Sequence, residues 1–413
     1  MFSGAMVIFS GQAVKALRHA AIVRVLFDGA LSMERSGTVS SAGRPDCGLT
    51  HHEDCRKSKQ ALALYESYLP RKVQKMTGET EHKLDSHFET LYQRDYAVQA
   101  PDMRRLYENA KRDQWNASKD IDWSQPTDLD AGIFADGMID GYGGDVWNKL
   151  DHKTKRELNV EFSCWRISQL LHGETGAMLA CSQLVNMVPT TDAKYFQSTQ
   201  VVDEARHAEV LTRYLNDKCG GRIYPFTGNL KVLFDHLLGE GKWFLKTVGL
   251  QLVGETFAVG LFRMIKETAQ DPTLRTISKR ILADESRHMG FSVLGLPDMI
   301  ASLSPSDMRE LEDFTAEACR LVLRGQFPRE AFERVGLSEH DIKEIERVRV
   351  ENAKSDEYAL FRKTFRREMY TQVVSNMKKV GLLTERTAAN LRKLGIDPTV
   401  DGRAYSLEAE VGA

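Results

Sequence analysis

One pentapeptide is written twice in this chain, as Asp203-Glu204-Ala205-Arg206-His207 and Asp284-Glu285-Ser286-Arg287-His288. Each copy sets a carboxylate and an imidazole three residues apart, and on a helix such positions share one face. A lone glutamate stands thirty residues before each pair: Glu174 before Glu204, and Glu255 before Glu285. Glu255 lies in Leu250–Phe262, a run that is apolar round most of a helix. An unpaired carboxylate there would be strongly destabilising or would take up a proton, so a cation in the core is the less costly arrangement. The same argument is softer for Glu174, which is flanked by His172, Gly173, Thr175 and Gly176. Four carboxylates and two imidazoles in matching halves suit a pair of hard iron or manganese ions. They do not suit a closed cysteine-based zinc cage.

Glu-x-x-His alone is weak evidence, and the chain carries a decoy, Glu79-x-x-His82, in a polar, loop-like context. The other two copies differ from it. Both extend to the full pentapeptide, both lie on apolar helical faces, and both have the upstream glutamate. Asp203 and Asp284 precede the proposed ligand glutamates. A metal-bound histidine commonly donates its other N–H to a carboxylate. Each aspartate is therefore expected to serve the histidine of the opposite half, with Arg206 and Arg287 neutralising the aspartates.

The remaining pattern is that of an all-α protein. Helical spacing predicts elements over 58–76, 83–95 and 101–117, the last opened by Pro101 at its first position. A loop over 120–126 and a Gly-rich stretch to Gly144 follow. Four long helices over 153–188, 192–217, 241–270 and 272–291 carry the six candidate ligands, and a short helix over 230–238 precedes the third. Beyond Pro297, helices are expected over 304–323, 338–379 and 384–394, the second with a charged, solvated face. The domain reading is an unordered extension over 1–56, N-terminal helices and loops packing on the bundle over 57–150, a dimetal bundle over 151–291, C-terminal helices over 292–396 and a loose tail over 397–413.

Composition excludes little and agrees with this. The net charge of -2 gives no global attraction to nucleic acid. No uninterrupted apolar run reaches membrane-spanning length, so no membrane span is expected. Six scattered cysteines with no C-x-x-C fit a reducing, cytoplasmic location.

The order Glu174…Asp203-Glu204-x-Arg206-His207…Glu255…Asp284-Glu285-x-Arg287-His288 resembles the ferritin-like di-iron carboxylate oxidases and oxygenases. These include monooxygenase hydroxylases, acyl-carrier-protein desaturases and the ribonucleotide reductase small subunit. The resemblance implies a ferritin-like four-helix bundle with additional N- and C-terminal helices. It implies metal ligands Glu174, Glu204, His207, Glu255, Glu285 and His288, and two iron ions, or manganese with iron. It also implies O2 activation, a small-molecule substrate and an electron-donating reductase or ferredoxin, and it admits a homodimer. Three positions depart from known members. Leu211 stands where the reductase has its radical tyrosine. Ala258 and Val259 stand where hydroxylases and desaturases carry a threonine, leaving Thr256, beside the third glutamate, as the candidate for a catalytic hydroxyl. Ile281 replaces a seventh ligand, a histidine, of arylamine N-oxygenases, and this sets the chain apart from them. The expected activity is O2-dependent oxidation of a small apolar or amphipathic molecule in a pocket lined by Ile167, Leu171, Met178, Val248, Ala258, Phe262 and Ile281. The alternative is iron binding or peroxide scavenging without organic turnover.

Overall fold

The order of elements puts four ligand-bearing segments side by side. In the computed structural model, which describes residues 82–323, 326–351 and 357–399, they run as follows. A short early helix, α1 (Pro101–Arg112), leads to α2 (Asp145–Lys149), α3 (His152–Met187), α4 (Thr191–Asp217) and α5 (Gly228–Gly239). Then come α6 (Trp243–Thr247), a π-helical segment (Val248–Gly254), α7 (Glu255–Thr268) and α8 (Pro272–Ser302). The C-terminal part holds α9 (Pro305–Leu323), α10 (Arg329–Arg334), α11 (Glu339–Glu351), α12 (Glu357–Lys379) and α13 (Glu385–Lys393). Among the described residues there is no strand, only an isolated bridge between Phe134 and Ala269. The all-α, ferritin-like bundle expected from the pentapeptides is thus the fold, with α3 packed on α4 and α7 packed on α8.

Three of the four long helices start at a side-chain cap that fixes their register. Asp151 accepts from Thr154 N, Thr190 from Ala193 N, and Asp271 from Leu274 N, with Pro272 at the first position of α8. Along each bundle helix the apolar residues divide into two cores. One contains Leu184, Phe196, Leu237, Leu252 and Phe291; the other contains Trp165, Ile167, Tyr214, Phe262 and Ile281. The candidate ligands fall between the two cores on every helix. Large side chains fully buried on either side, each worth about 1.5–3 kcal/mol of transfer free energy, offset the cost of a polar layer between them.

Several expectations are corrected. Residues 83–95 form no helix. Their backbone lies along the bundle instead, with Leu91 N donating to Asn186 O, Gln93 Nε2 to Pro189 O and Ser86 Oγ to Leu238 O. Bonds to the ends of α3 and α5 replace the bonds that a helix would make internally. The helix expected over 101–117 stops at Arg112, because Gln114 and Trp115 turn inward. Asp120 then accepts from Asn116 N at 2.7 Å to close the following turn. The third long helix is interrupted by the π-helical segment, where Glu255 N bonds Leu250 O. The fourth continues through Pro297 to Ser302, held by buried Leu296, Met299 and Ile300 on both sides of the proline. The charged stretch 338–379 holds α11 and α12, and α11 buries Ile342 and Ile345 against the core around Trp147 and Phe162. The expectations for 1–56 and 58–76, Glu79 of the decoy and the last residues of the tail lie outside the described residues.

The stretch Trp243–Thr268 is long and apolar enough to cross a membrane, but 67% of its most apolar window is buried inside the protein. A helix apolar on every side is what the middle of a bundle requires. Near its start Lys246 is fully buried. Its ammonium donates to Gln183 Oε1 and lies 5.4 Å from the Phe88 ring centroid. Burial pushes its pKa down from 10.5 to about 8. A depressed lysine pKa means that the unfolded chain holds the proton more tightly, so stability rises with pH through this window. Urea unfolding of the wild type and Lys246→Met at about pH 7.5 and about pH 10 should show the difference moving by about 2 kcal/mol in favour of the wild type. A difference independent of pH would show that Lys246 is not held in this state.

Candidate metal centre

All six candidate ligands converge, and each is at most 5% exposed. Glu174 comes from α3, Glu204 and His207 from α4, Glu255 from the first residue of α7, and Glu285 and His288 from α8. They form two groups, Glu174–Glu204–His207–Glu285 and Glu204–Glu255–Glu285–His288, with the ligand atoms of each group within 4.8 Å of one another. Glu204 and Glu285 belong to both groups and stand where bridging ligands would.

The distances show what the arrangement fits. His207 Nδ1 lies 3.1 Å from Glu174 Oε2, 3.3 Å from Glu204 Oε2 and 3.1 Å from Glu285 Oε1. His288 Nδ1 lies 3.2 Å from Glu204 Oε1, 3.1 Å from Glu285 Oε2 and 3.8 Å from Glu255 Oε2. One ring nitrogen carries at most one proton and cannot satisfy three carboxylates. Glu285 Oε1 is accordingly buried with no hydrogen bond of usable geometry. The opposite ring nitrogens are occupied. His207 Nε2 lies 3.0 Å from Asp284 Oδ2, and His288 Nε2 lies 3.2 Å from Asp203 Oδ2. These bonds cross between the halves, and they leave each Nδ1 as the atom that faces the carboxylates. A cation at each focus satisfies the nitrogen lone pair and three carboxylates together, and the donor set suits Fe or Mn.

The aspartates are held in turn. Arg206 donates to Asp203 and, at 3.1 Å, to Asp284; Arg287 donates to Asp284 and, at 3.5 Å, to Asp203. Two residues absent from the sequence reading complete this layer. Gln114 Nε2 donates to Asp203 at 3.0 Å, and Trp115 Nε1 donates to Asp284 at 2.7 Å. They lie just past the end of α1, which packs on both α4 and α8. No local sequence pattern announces such a contact. Gln200 and Gln251 were also missed, although both stand one helical turn before a ligand. Gln200 Nε2 donates to Glu204 Oε1 at 3.0 Å and Glu255 Oε1 at 2.7 Å, and Gln251 Nε2 donates to Gln200 Oε1 at 2.6 Å.

Thr256 does not border the cleft described below. Its hydroxyl donates to Leu252 O at 2.6 Å and accepts from Asn376 Nδ2 at 3.0 Å, tying the π-helical segment to α12. The expected lining is corrected as well. An apolar cleft of about 550 Å³, its open mouth included, reaches Glu174, Glu204 and Glu255 between Leu170, Ala177, Leu230, Phe234, Leu250 and Leu261. Of the expected lining residues only Ala258 borders it. Ile167, Leu171, Phe262 and Ile281 fill the neighbouring core, and Val248 the other. Gly176 lets Phe234, on the cleft wall, approach α3 where a Cβ would collide with its ring.

Protons balance the charge when no metal does. Burial, reinforced by the Glu285 charge, pushes Glu174 and Glu255 well above the usual carboxylate range. Burial opposes ionisation of Glu204 and Glu285 too, but it is outweighed by the two histidines at Glu204, and at Glu285 by a hydrogen bond with Glu255 together with the histidines. Glu204 is held well below its ordinary value and Glu285 at about 2. Both histidines are raised despite burial by the surrounding carboxylates. Metal uptake must displace these protons, so affinity falls as pH falls. Metal titrations between about pH 8 and about pH 6 should show weakening affinity and proton release on binding. Asp284→Asn should weaken binding by about 10- to 100-fold. An affinity flat across that range would contradict the site.

A family model described as p-aminobenzoate N-oxygenase AurF matches residues 99–381. Among solved structures, the chain is similar to an R2-like ligand-binding oxidase with an aerobically reconstituted Mn/Fe cofactor. Identity is 17% over 70% of this chain and 98% of that chain, with a TM-score of 0.41. The same oxidase after photoconversion gives 17% identity over 70% of this chain and 99% of that chain, with a TM-score of 0.42. No curated protein matches significantly. Ile281 had set the chain apart from arylamine N-oxygenases, but the match runs from α1 into α12 and one missing histidine does not outweigh it. The chain is an oxidoreductase of the ferritin-like dimetal superfamily and belongs to the AurF p-aminobenzoate N-oxygenase family.

Proposed function

We propose that this protein binds two iron ions, or manganese with iron, through Glu174, Glu204, His207, Glu255, Glu285 and His288, and acts as an O2-dependent oxygenase on a small apolar or amphipathic molecule. The observation that carries the reading is the cleft. Its walls are apolar and its inner end is formed by three of the six ligands, an arrangement that iron storage or peroxide removal does not need. The metals would supply O2 activation. The chain's own residues do the rest. Leu170, Ala177, Phe234 and Leu261 exclude water and hold a hydrocarbon body, while the crossed Asp–His bonds keep the ligands oriented.

The family name makes an amine nitrogen the first candidate for the oxidised atom. Hydroxylating an amine consumes one O2, two electrons and two protons and releases one water. No flavin, nicotinamide or iron–sulfur motif is present in the sequence, so the electrons come from a separate reductase or ferredoxin.

Metal-loaded, reduced protein should consume O2 and transfer labelled oxygen from 18O2 into an arylamine or another small substrate, read by mass spectrometry. Glu204→Ala or Glu285→Ala should abolish the transfer. Ala258→Phe, which narrows the cleft beside the centre, should raise KM about tenfold or more with metal content unchanged. O2 consumption without any oxygenated product across such a screen would replace this reading with metal handling.

A further inference from the structure

The two metal positions do not have equivalent surroundings. Glu174 and Glu255, and likewise Glu204 and Glu285, are related by a shift of 81 residues. The same shift pairs Gln200 with Ile281 and Gln251 with Leu170. Both amides therefore flank the position of Glu255 and His288, while their counterparts beside Glu174 and His207 are apolar. Gln200 and Gln251 are completely buried, and so is Ile281.

The hydrogen bonds give this asymmetry a consequence. A single amide nitrogen of Gln200 donates to Glu204 and to Glu255, and Gln251 fixes its orientation from the other side. Glu255 Oε1 is thereby engaged, and Oε2 is the oxygen nearer His288 Nδ1. The amide also places two N–H dipoles between carboxylates that would otherwise repel. Glu174 has no such support. Its Oε2 lies 3.1 Å from His207 Nδ1, and no side-chain amide reaches it among the described residues.

We infer that Gln200 is a positioning residue that makes the His288 position the rigid, tighter-binding half of the centre, with Glu255 held as a one-oxygen ligand, and leaves Glu174 at the His207 position free to move. Preorganised carboxylates bind a cation with less loss of freedom, so the His288 position fills first. Glu174 borders the cleft together with Glu204 and Glu255, and as the one of the three without amide support it would be the ligand able to give way to a substrate. This rests on the six-ligand reading above.

The test is a Mn(II) titration of the full-length protein followed by electron paramagnetic resonance, with anomalous diffraction to locate the ions. The wild type should bind in two unequal steps, the first beside His288. Gln200→Met should weaken that step by about 10- to 100-fold, leave the second in place and preserve the helical circular dichroism. Gln251→Leu, acting through Gln200, should produce a smaller loss in the same step, and it carries the test alone if Gln200→Met does not fold. Equal wild-type steps, first filling beside His207, or variants that lower both steps alike would overturn the inference. A wild type that binds no metal would instead sink the centre itself.

Discussion

Four glutamates in a buried layer set the terms for the rest of this protein. Their mutual repulsion in a low-dielectric interior is large, and it is bearable only if positive charge stands among them. Two divalent ions would balance four glutamates, as Arg206 and Arg287 already balance Asp203 and Asp284. Without the ions, protons on the histidines and on Glu174 and Glu255 do part of that work. With two divalent ions held by these glutamates the site would be neutral, and the surrounding cores would not have to stabilise a buried net charge.

The bundle's geometry serves this layer. Side-chain caps at Asp151, Thr190 and Asp271 set where α3, α4 and α8 begin, and hence the height at which each ligand arrives. An apolar core on each side of the layer seals it. The π-helical segment is the exception to regular packing. It stands immediately before Glu255, as such segments often do at functional sites, and carries Gln251. Gly249 allows Leu237 and Phe314 to close on it.

What could be read from the sequence follows the reach of each signal. The convergence of the candidate ligands was legible because two regularities coincide: a three-residue step within each pentapeptide and an identical spacing back to a glutamate. The crossed pairing of aspartates and histidines followed from ligand chemistry. Gln200 and Gln251 lay within the same rule, one turn from a ligand, but amides carry no charge that demands explanation. Gln114 and Trp115 were beyond reach, since their partners stand 89 and 169 residues away. The extended course of 83–95 depends on carbonyls at the ends of other helices. Ile281 departs from the arylamine N-oxygenase ligand pattern at one position, while the match to the family spreads over most of the chain.

Contacts from the two ends of the described chain meet at this centre. Gln114 and Trp115 fasten the aspartates from one side, and Asn376 fastens Thr256 beside Glu255 from the other. The stretch from α3 to α8 holds every candidate ligand but neither fastening. The bundle by itself is therefore not the inheritable unit of this centre. A recombination or design that transplants only those helices would carry over the ligands and lose what keeps them aimed. The parts that must travel together span from α1 to α12, which is nearly the extent over which the family resemblance holds.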